Sequence, residues 1–260
     1  MTDVFAGRTA LVTGAGRGIG RALALGLAER GADLILIARS ANQLEATRDA
    51  LAERGLARGA VVAIAADLAD EAHRARAIGA VLARGRIDIL VNNAATVEPL
   101  GVTAQIPVSE LRPAFELNVF APVALAAAVL PGMTDAGWGR IVNVSSGIVA
   151  RPEFMVRGNA YAATKAALEA HTLNLAAELR GTGVTVNVYR PGRVDTSMQE
   201  WIRGQDPERI GAALHGAFHR YVTTGVLITP ELSAEALLTR LGGSETGAVW
   251  AFEDPAVTAS

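Results

Sequence analysis

The sequence predicts an α/β protein: a doubly wound parallel sheet covered on both faces by helices, in three layers. Three observations carry that expectation. Short runs rich in β-branched residues alternate along the chain with longer Ala/Leu/Arg/Glu segments. The runs are nearly continuous in apolar character, as strands buried on both faces are, rather than alternating apolar with polar. A glycine-rich turn follows the first run and opens straight into a helix-forming segment.

The strand-like runs fall at residues 9–12, 34–37, 61–64, 87–91, 141–144 and 184–188, and a last strand is expected within 248–252. Helical segments between them include 21–30, 41–54 and 160–180. A late helix should start with Thr229 as its cap and Pro230 at its first position, where a missing N–H costs nothing. The stretch 195–225 breaks this rhythm, scattering Trp201, Phe218 and Tyr221 among polar residues. Long excursions beyond a strand's carboxyl end are where such folds place a cover over the substrate.

Half of the 260 residues are apolar and 5% aromatic, a chain able to bury one sizeable core. No linker, low-complexity tract or repeat divides it, so one domain over 1–260 is expected. A formal charge of −2 offers no basic footprint, which argues against nucleic acid as a partner. The absence of cysteine excludes disulfides, Cys-ligated metal and thiol nucleophiles, and fits a reducing compartment. The first residues lack the basic-then-apolar order of a signal peptide. The longest apolar run, 119–133, reads as too short for a membrane span and carries Pro122 and Pro131. A soluble cytoplasmic protein with no membrane partner is the expectation.

The turn after the first strand reads Thr13-Gly14-Ala15-Gly16-Arg17-Gly18-Ile19-Gly20. Glycines let the backbone turn tightly and bring N–H groups close to a pyrophosphate, and the helix N-terminus adds partial positive charge. Nucleotide binding is therefore expected. At the end of the second strand, Ile37-Ala38-Arg39-Ser40 carries no acid to take a ribose 2′-hydroxyl. A guanidinium at Arg39, with Arg17 and Ser40 beside it, suits a 2′-phosphate, so the charge favours NADP over NAD. Asp67 and Leu68, after the third strand, are placed to flank an adenine; Asn93 and Ala94, after the fourth, sit where the chain passes beside a cofactor.

Tyr161 and Lys165 stand four apart in an Ala-rich, Pro-free segment, so a helix puts phenol and ammonium on one face. A neighbouring cation favours the ionised phenol, an arrangement suited to a proton donor near neutral pH. The plainer reading is two unrelated surface residues. The fifth strand ends in Ser145-Ser146-Gly147, at the same sheet edge, where a hydroxyl can hold a carbonyl oxygen beside the phenol. No His/acid pair or nucleophile elbow accompanies it. Asn118, a polar residue within a long apolar helix, must satisfy a backbone group, anchor a water, or do both.

These motifs, together with the Tyr189-to-Thr196 run YRPGRVDT, resemble the short-chain dehydrogenase/reductase family in order and spacing over about residues 7 to 198. The resemblance implies a Rossmann-type domain of about seven parallel strands. It implies Tyr161 as general acid/base, Ser146 as the residue orienting substrate oxygen, and Lys165 binding the nicotinamide ribose while lowering the Tyr161 pKa. Asn118 would hold the water of a proton relay through Lys165. Pro191, Gly192, Val194 and Thr196 would seat the nicotinamide carboxamide. Between Ser145 and Ser146, the motif selects Ser146. Three departures stand out: a gap about two residues longer between Ser146 and Tyr161, NNAA in place of NNAG, and an ending that keeps only Thr-Gly and a strand.

The resulting expectation is an NADPH-dependent reductase of ketones or aldehydes, reversible as an alcohol dehydrogenase, working as a homo-oligomer, tetramer or dimer. The alternatives are an NAD-linked alcohol dehydrogenase of the same fold and a non-catalytic NADP(H)-binding redox sensor. His215 and His219, at i and i+4, are read as surface of the covering segment rather than metal ligands.

Overall fold

Seven parallel strands lie in the order β3-β2-β1-β4-β5-β6-β7. They are β1 (Thr9–Thr13), β2 (Asp33–Ala38), β3 (Val61–Ala65), β4 (Ile89–Asn92), β5 (Gly139–Val144), β6 (Val184–Arg190) and β7 (Val249–Ala251). The computed structural model describes residues 4–56 and 60–252. Each strand-like run of the sequence became a strand, because β-branched side chains fit the pleated, doubly covered surface. β3, at the sheet edge, is the least buried of the longer strands.

Successive residues of a strand face opposite ways, and here they enter two separate cores. Ala10, Val12, Leu34 and Leu36 pack with α1 (Gly18–Glu29), α2 (Ala41–Glu53) and α10 (Pro230–Leu241). Leu11, Ile35, Leu90 and Ile141 pack on the other face with α3 (Glu71–Leu82), α5 (Ala121–Asp135) and α6 (Asn159–Glu178). This is the three-layer arrangement expected, with each buried Leu or Ile worth about 1.5–3 kcal/mol of transfer free energy.

The apolar run around 119–133 departs from the sequence expectation. It belongs to a continuous helical stretch, Val108–Asp135, long and apolar enough by length and composition to cross a membrane. The stretch comprises α4 (Val108–Phe115), a π-helical turn at Glu116–Phe120, and α5. Pro122 lies in the first turn of α5, where it does not end a helix. Ala121, Leu125, Ala126, Val129 and Met133 are buried against the sheet.

The 195–225 excursion folds as α7 (Ser197–Arg203), α8 (Pro207–Ile210) and α9 (Ala212–Thr223). Thr229 caps α10, its side chain accepting from Leu232 N, with Pro230 following.

Candidate active site

The strand order reverses direction between β2-β1 and β1-β4, so the connections leaving β1 and β4 part to opposite sides and open a crevice at the carboxyl ends. One hydroxyl ties those two ends together. Thr13 Oγ1 donates to Val91 O at 3.4 Å and accepts from Asn93 N and Ala94 N, both at 3.0 Å. Asn93 Nδ2 in turn donates to Thr13 O at 2.9 Å. Asn93 therefore braces the glycine turn; Thr13, which does this from the opposite side, was not singled out in the sequence.

The turn requires its glycines. Gly14 has φ +67°, and a Cβ there would sit 2.8 Å from Asn93 Nδ2. A Cβ at Gly20 would collide with the Gly14 carbonyl oxygen. Arg17 caps α1 without a side-chain hydrogen bond, and no acidic residue occupies the first turn. The first amides of α1 thus point, unneutralised, at a cavity of about 860 Å³ lined by Gly14, Gly16, Arg17, Gly18 and Ile19. Gly20 lies behind this wall.

The cavity runs from Arg39 and Ser40 past Leu68 and Ala94 to Ser146, Tyr161 and Lys165, and on to Pro191, Gly192, Val194 and Thr196. Arg17 and Arg39 form no ion pair among the described residues. The Ser40 hydroxyl caps α2 by accepting from Gln43 N. Asp67 is likewise not brought to the cavity wall: its carboxylate accepts from Ala69 N at 3.0 Å, closing the turn after β3. An anion-accepting turn, free guanidiniums and a cleft of this size fit a phosphorylated dinucleotide.

A polar ladder sets α6 against β5. Asn143 Nδ2 donates to Thr172 Oγ1 at 2.8 Å, Ser145 Oγ donates to Glu169 Oε1 at 2.7 Å, and Lys165 Nζ donates to Val144 O at 2.8 Å. The strand ascends as the helix descends, so the N-terminal end of α6 arrives at the carboxyl edge of the sheet, carrying Tyr161. There Tyr161 and Ser146 line the same cavity, the serine hydroxyl close enough to act on the phenol, and Ser146 Oγ accepts from Ile148 N at 3.3 Å. Ser145, by contrast, spends its hydroxyl on Glu169. The neighbouring serines are thereby distinguished, one facing the phenol and one tied to a structural carboxylate.

Burial decides the electrostatics. It pushes the Tyr161 phenol up to about 12, against a smaller opposing effect of the Ser146 hydroxyl. It pulls the Lys165 ammonium down to about 8, opposed by the Glu169 carboxylate. In this structure burial dominates the Tyr161 pKa that the sequence expectation placed under the influence of Lys165. The ammonium lies 5.8 Å from the phenol ring centre and donates to the Val144 carbonyl.

Asn118 lies on the π-helical turn and is fully buried. Its Oδ1 accepts from Thr96 N at 2.9 Å, and Nδ2 donates to Thr96 O at 2.8 Å and Thr164 Oγ1 at 3.0 Å. The side chain thus joins the loop after β4 to α6 next to Lys165, satisfying the backbone-group alternative, and it does not line the cavity.

Above Tyr161 the wall is apolar: Val97, Met155 and Ile202 pack with the phenol, and Phe218 adjoins them. The extra residues between Ser146 and Tyr161 hold this cover down. Arg157, in the left-handed region at φ 69°, donates through Nη1 to Glu208 O at 2.7 Å and Arg209 O at 2.9 Å. The His215 and His219 rings are tilted at 50° to each other with Nε2 atoms 3.2 Å apart, and His215 Nε2 is 3.1 Å from Arg203 O. No third ligand joins them among the described residues.

Fold and site together define a Rossmann-type oxidoreductase class, and the chain belongs to the short-chain dehydrogenase/reductase family: the family model described as short chain dehydrogenase matches residues 8–207. Among curated proteins it is similar to the 3-oxoacyl-[acyl-carrier-protein] reductase FabG of Pseudomonas aeruginosa, 37% identical over 80% of this chain and 85% of that protein. It is also similar to the oxidoreductase UcpA of Escherichia coli, 40% identical over 78% of this chain and 77% of that one. Among solved structures, a putative NAD(P)-dependent gluconate 5-dehydrogenase from Beutenbergia cavernae with bound NADP superposes with a TM-score of 0.83. That pair is 31% identical, with 96% of this chain and 97% of the other covered. L-sorbose reductase from Gluconobacter frateurii, solved with NADPH and L-sorbose, gives a TM-score of 0.84 at 27% identity, over 97% of each chain.

Proposed function

We propose that this chain is an NADP(H)-dependent reductase of ketones or aldehydes, reversible as an alcohol dehydrogenase, with Tyr161 as its general acid/base. The observation that carries this reading is the Tyr161–Ser146 hydroxyl pair, set in the cavity that begins at the glycine turn. The likeness to proteins solved with NADP or NADPH supports the cofactor, as does the lack of an acid at the end of β2 beside Arg39.

Gly14, Gly16, Gly18 and Ile19 would hold the pyrophosphate against the start of α1, Arg17, Arg39 and Ser40 the 2′-phosphate, and Leu68 and Ala94 the adenosine side. Lys165 would bind the nicotinamide ribose, while Pro191, Gly192, Val194 and Thr196 seat the nicotinamide. When bound, NADPH supplies the hydride that goes to the carbonyl carbon. Ser146 donates to the carbonyl oxygen, and Tyr161 gives its phenolic proton to that oxygen as charge develops there. One such donor is worth about 3–4 kcal/mol of barrier. The apolar cover excludes water, which strengthens both bonds. A phenol held protonated by burial suits the reductive direction. Asn118 acts through Thr164 and the loop after β4, holding α6 so that Tyr161 meets Ser146; the donors of its amide are taken by Thr96 O and Thr164 Oγ1, so a relay water near Lys165 would not draw on them.

A cysteine-free chain fits the cytoplasm, and the family expectation of a homo-oligomer is supported by Phe120 and Leu173, left exposed along the helical stretch 108–135 and α6. The experiment is a panel of carbonyl compounds offered with NADPH or NADH to the unmutated protein and to Arg39→Asp. NADPH oxidation by the first and a swing toward NADH in the second are expected. Preference for NADH in the unmutated protein would overturn the cofactor assignment.

A further inference from the structure

The charge of the cavity wall is one-sided. Arg17, Arg39, Arg151, Lys165, Arg190 and Arg193 line it, and among the described residues no Asp or Glu does. Four of these cations have work. Arg17 and Arg39 stand at the adenosine end, Lys165 bonds Val144 O, and Arg190 is held by Glu169. Arg151 and Arg193 have neither an ion pair nor a side-chain hydrogen bond among the described residues.

Both are nonetheless held in place. The Arg151 guanidinium lies 5.4 Å over the Phe154 ring, and that of Arg193 lies 4.8 Å over Tyr221. Stacking fixes a guanidinium by its face and leaves its in-plane N–H groups free for a planar anion. Their places in the chain set them at the substrate end. Arg151 begins the extra segment after Ser146, and Arg193 directly follows the Pro191-Gly192 turn. The same cavity carries the apolar Val97, Met155, Ile202 and Phe218 around Tyr161. Both guanidiniums are solvent-exposed at the rim of the cavity, and a neutral carbonyl compound would offer them no counter-charge.

We propose, building on the reductase reading, that the substrate is an oxo acid: a carbonyl at Ser146 and Tyr161, an apolar body under residues 195–225, and a carboxylate received by Arg151 and Arg193. The two arginines set specificity and leave the chemistry to the hydroxyl pair.

The test offers aryl- and alkyl-substituted oxo carboxylic acids of increasing length, each beside its methyl ester, to the NADPH-loaded protein. For the best-fitting length, kcat/KM for the acid should exceed that for the ester by about tenfold at low salt, and the ratio should shrink as salt rises. Arg151→Gln and Arg193→Gln should each lower the acid-to-ester ratio about fivefold, mainly through KM. Esters reduced as well as acids across the series, or a ratio unmoved by both substitutions, would overturn the inference. Quenching of Trp201 fluorescence separates the two levels. Saturable quenching by an acid, abolished in the arginine variants but without NADPH oxidation, would keep the anion site and refute the reductase. Ester reduction with no preference for the acid would do the reverse, and neither binding nor turnover would refute both.

Discussion

The Glu169 carboxylate grips Arg190 with both oxygens, 2.9 Å from Nε and 2.7 Å from Nη2, and takes a third bond from Ser145 Oγ at 2.7 Å. The pair fastens α6 to the end of β6 just below the catalytic candidates. Glu169 is buried and Arg190 only partly exposed, so a neutral partner leaves a guanidinium poorly compensated. Glu169→Gln should therefore cost about 2–3 kcal/mol of stability, a figure reduced for the exposure of Arg190. Urea unfolding should show a lower midpoint with an unchanged slope. An unaltered midpoint would mean the pair is ornamental to the fold.

The pH profile follows from two opposite shifts with one cause. Burial keeps the Tyr161 phenol protonated to about 12 and lets Lys165 lose its proton near 8. Reduction needs a protonated phenol, and the cationic Lys165 favours charge transfer beside it. The kcat/KM for reduction should hold below pH 8 and fall up to tenfold per unit above it. In Glu169→Gln the limb should move to lower pH, because the anion opposing the Lys165 shift is gone. A profile flat to pH 10 would remove Lys165 from the account.

Arg157 ties the extra segment after β5 to the main-chain carbonyls of Glu208 and Arg209, and its own carbonyl accepts from Gly101 N at 2.8 Å. Two bonds from a charged donor are worth about 1.5–3 kcal/mol to the closed position of the covering helices. Arg157→Ala should raise KM several-fold with a smaller change in kcat, and should speed proteolytic nicking near 207–211. Unchanged KM and unchanged nicking would show that the cover is held by its apolar contacts alone.

The sheet was legible because its strands are apolar runs that only a doubly covered parallel sheet can bury, and the glycine turn marked the crevice. The placement of Ser146, Tyr161 and Lys165 on one cavity wall was legible from the helix period and the strand end. What escaped was set by partners distant in sequence. Thr13 binding the β4 end, Glu169 meeting Arg190, and Arg157 reaching Glu208 have no local pattern. The balance of burial against charge at Tyr161 depends on how much water the packed cover removes, and 119–133 was read too short because a π-helical turn at Glu116–Phe120 joins α5 to α4 into one longer stretch.

The central claim is that the Tyr161 hydroxyl delivers the proton. Tyr161→Phe removes one oxygen and leaves the ring in its apolar setting, so NADPH should bind with little change while carbonyl reduction falls by at least about a thousandfold. Measured side by side, intact NADPH binding with lost turnover is the predicted result. Retained turnover in Tyr161→Phe would contradict the mechanism.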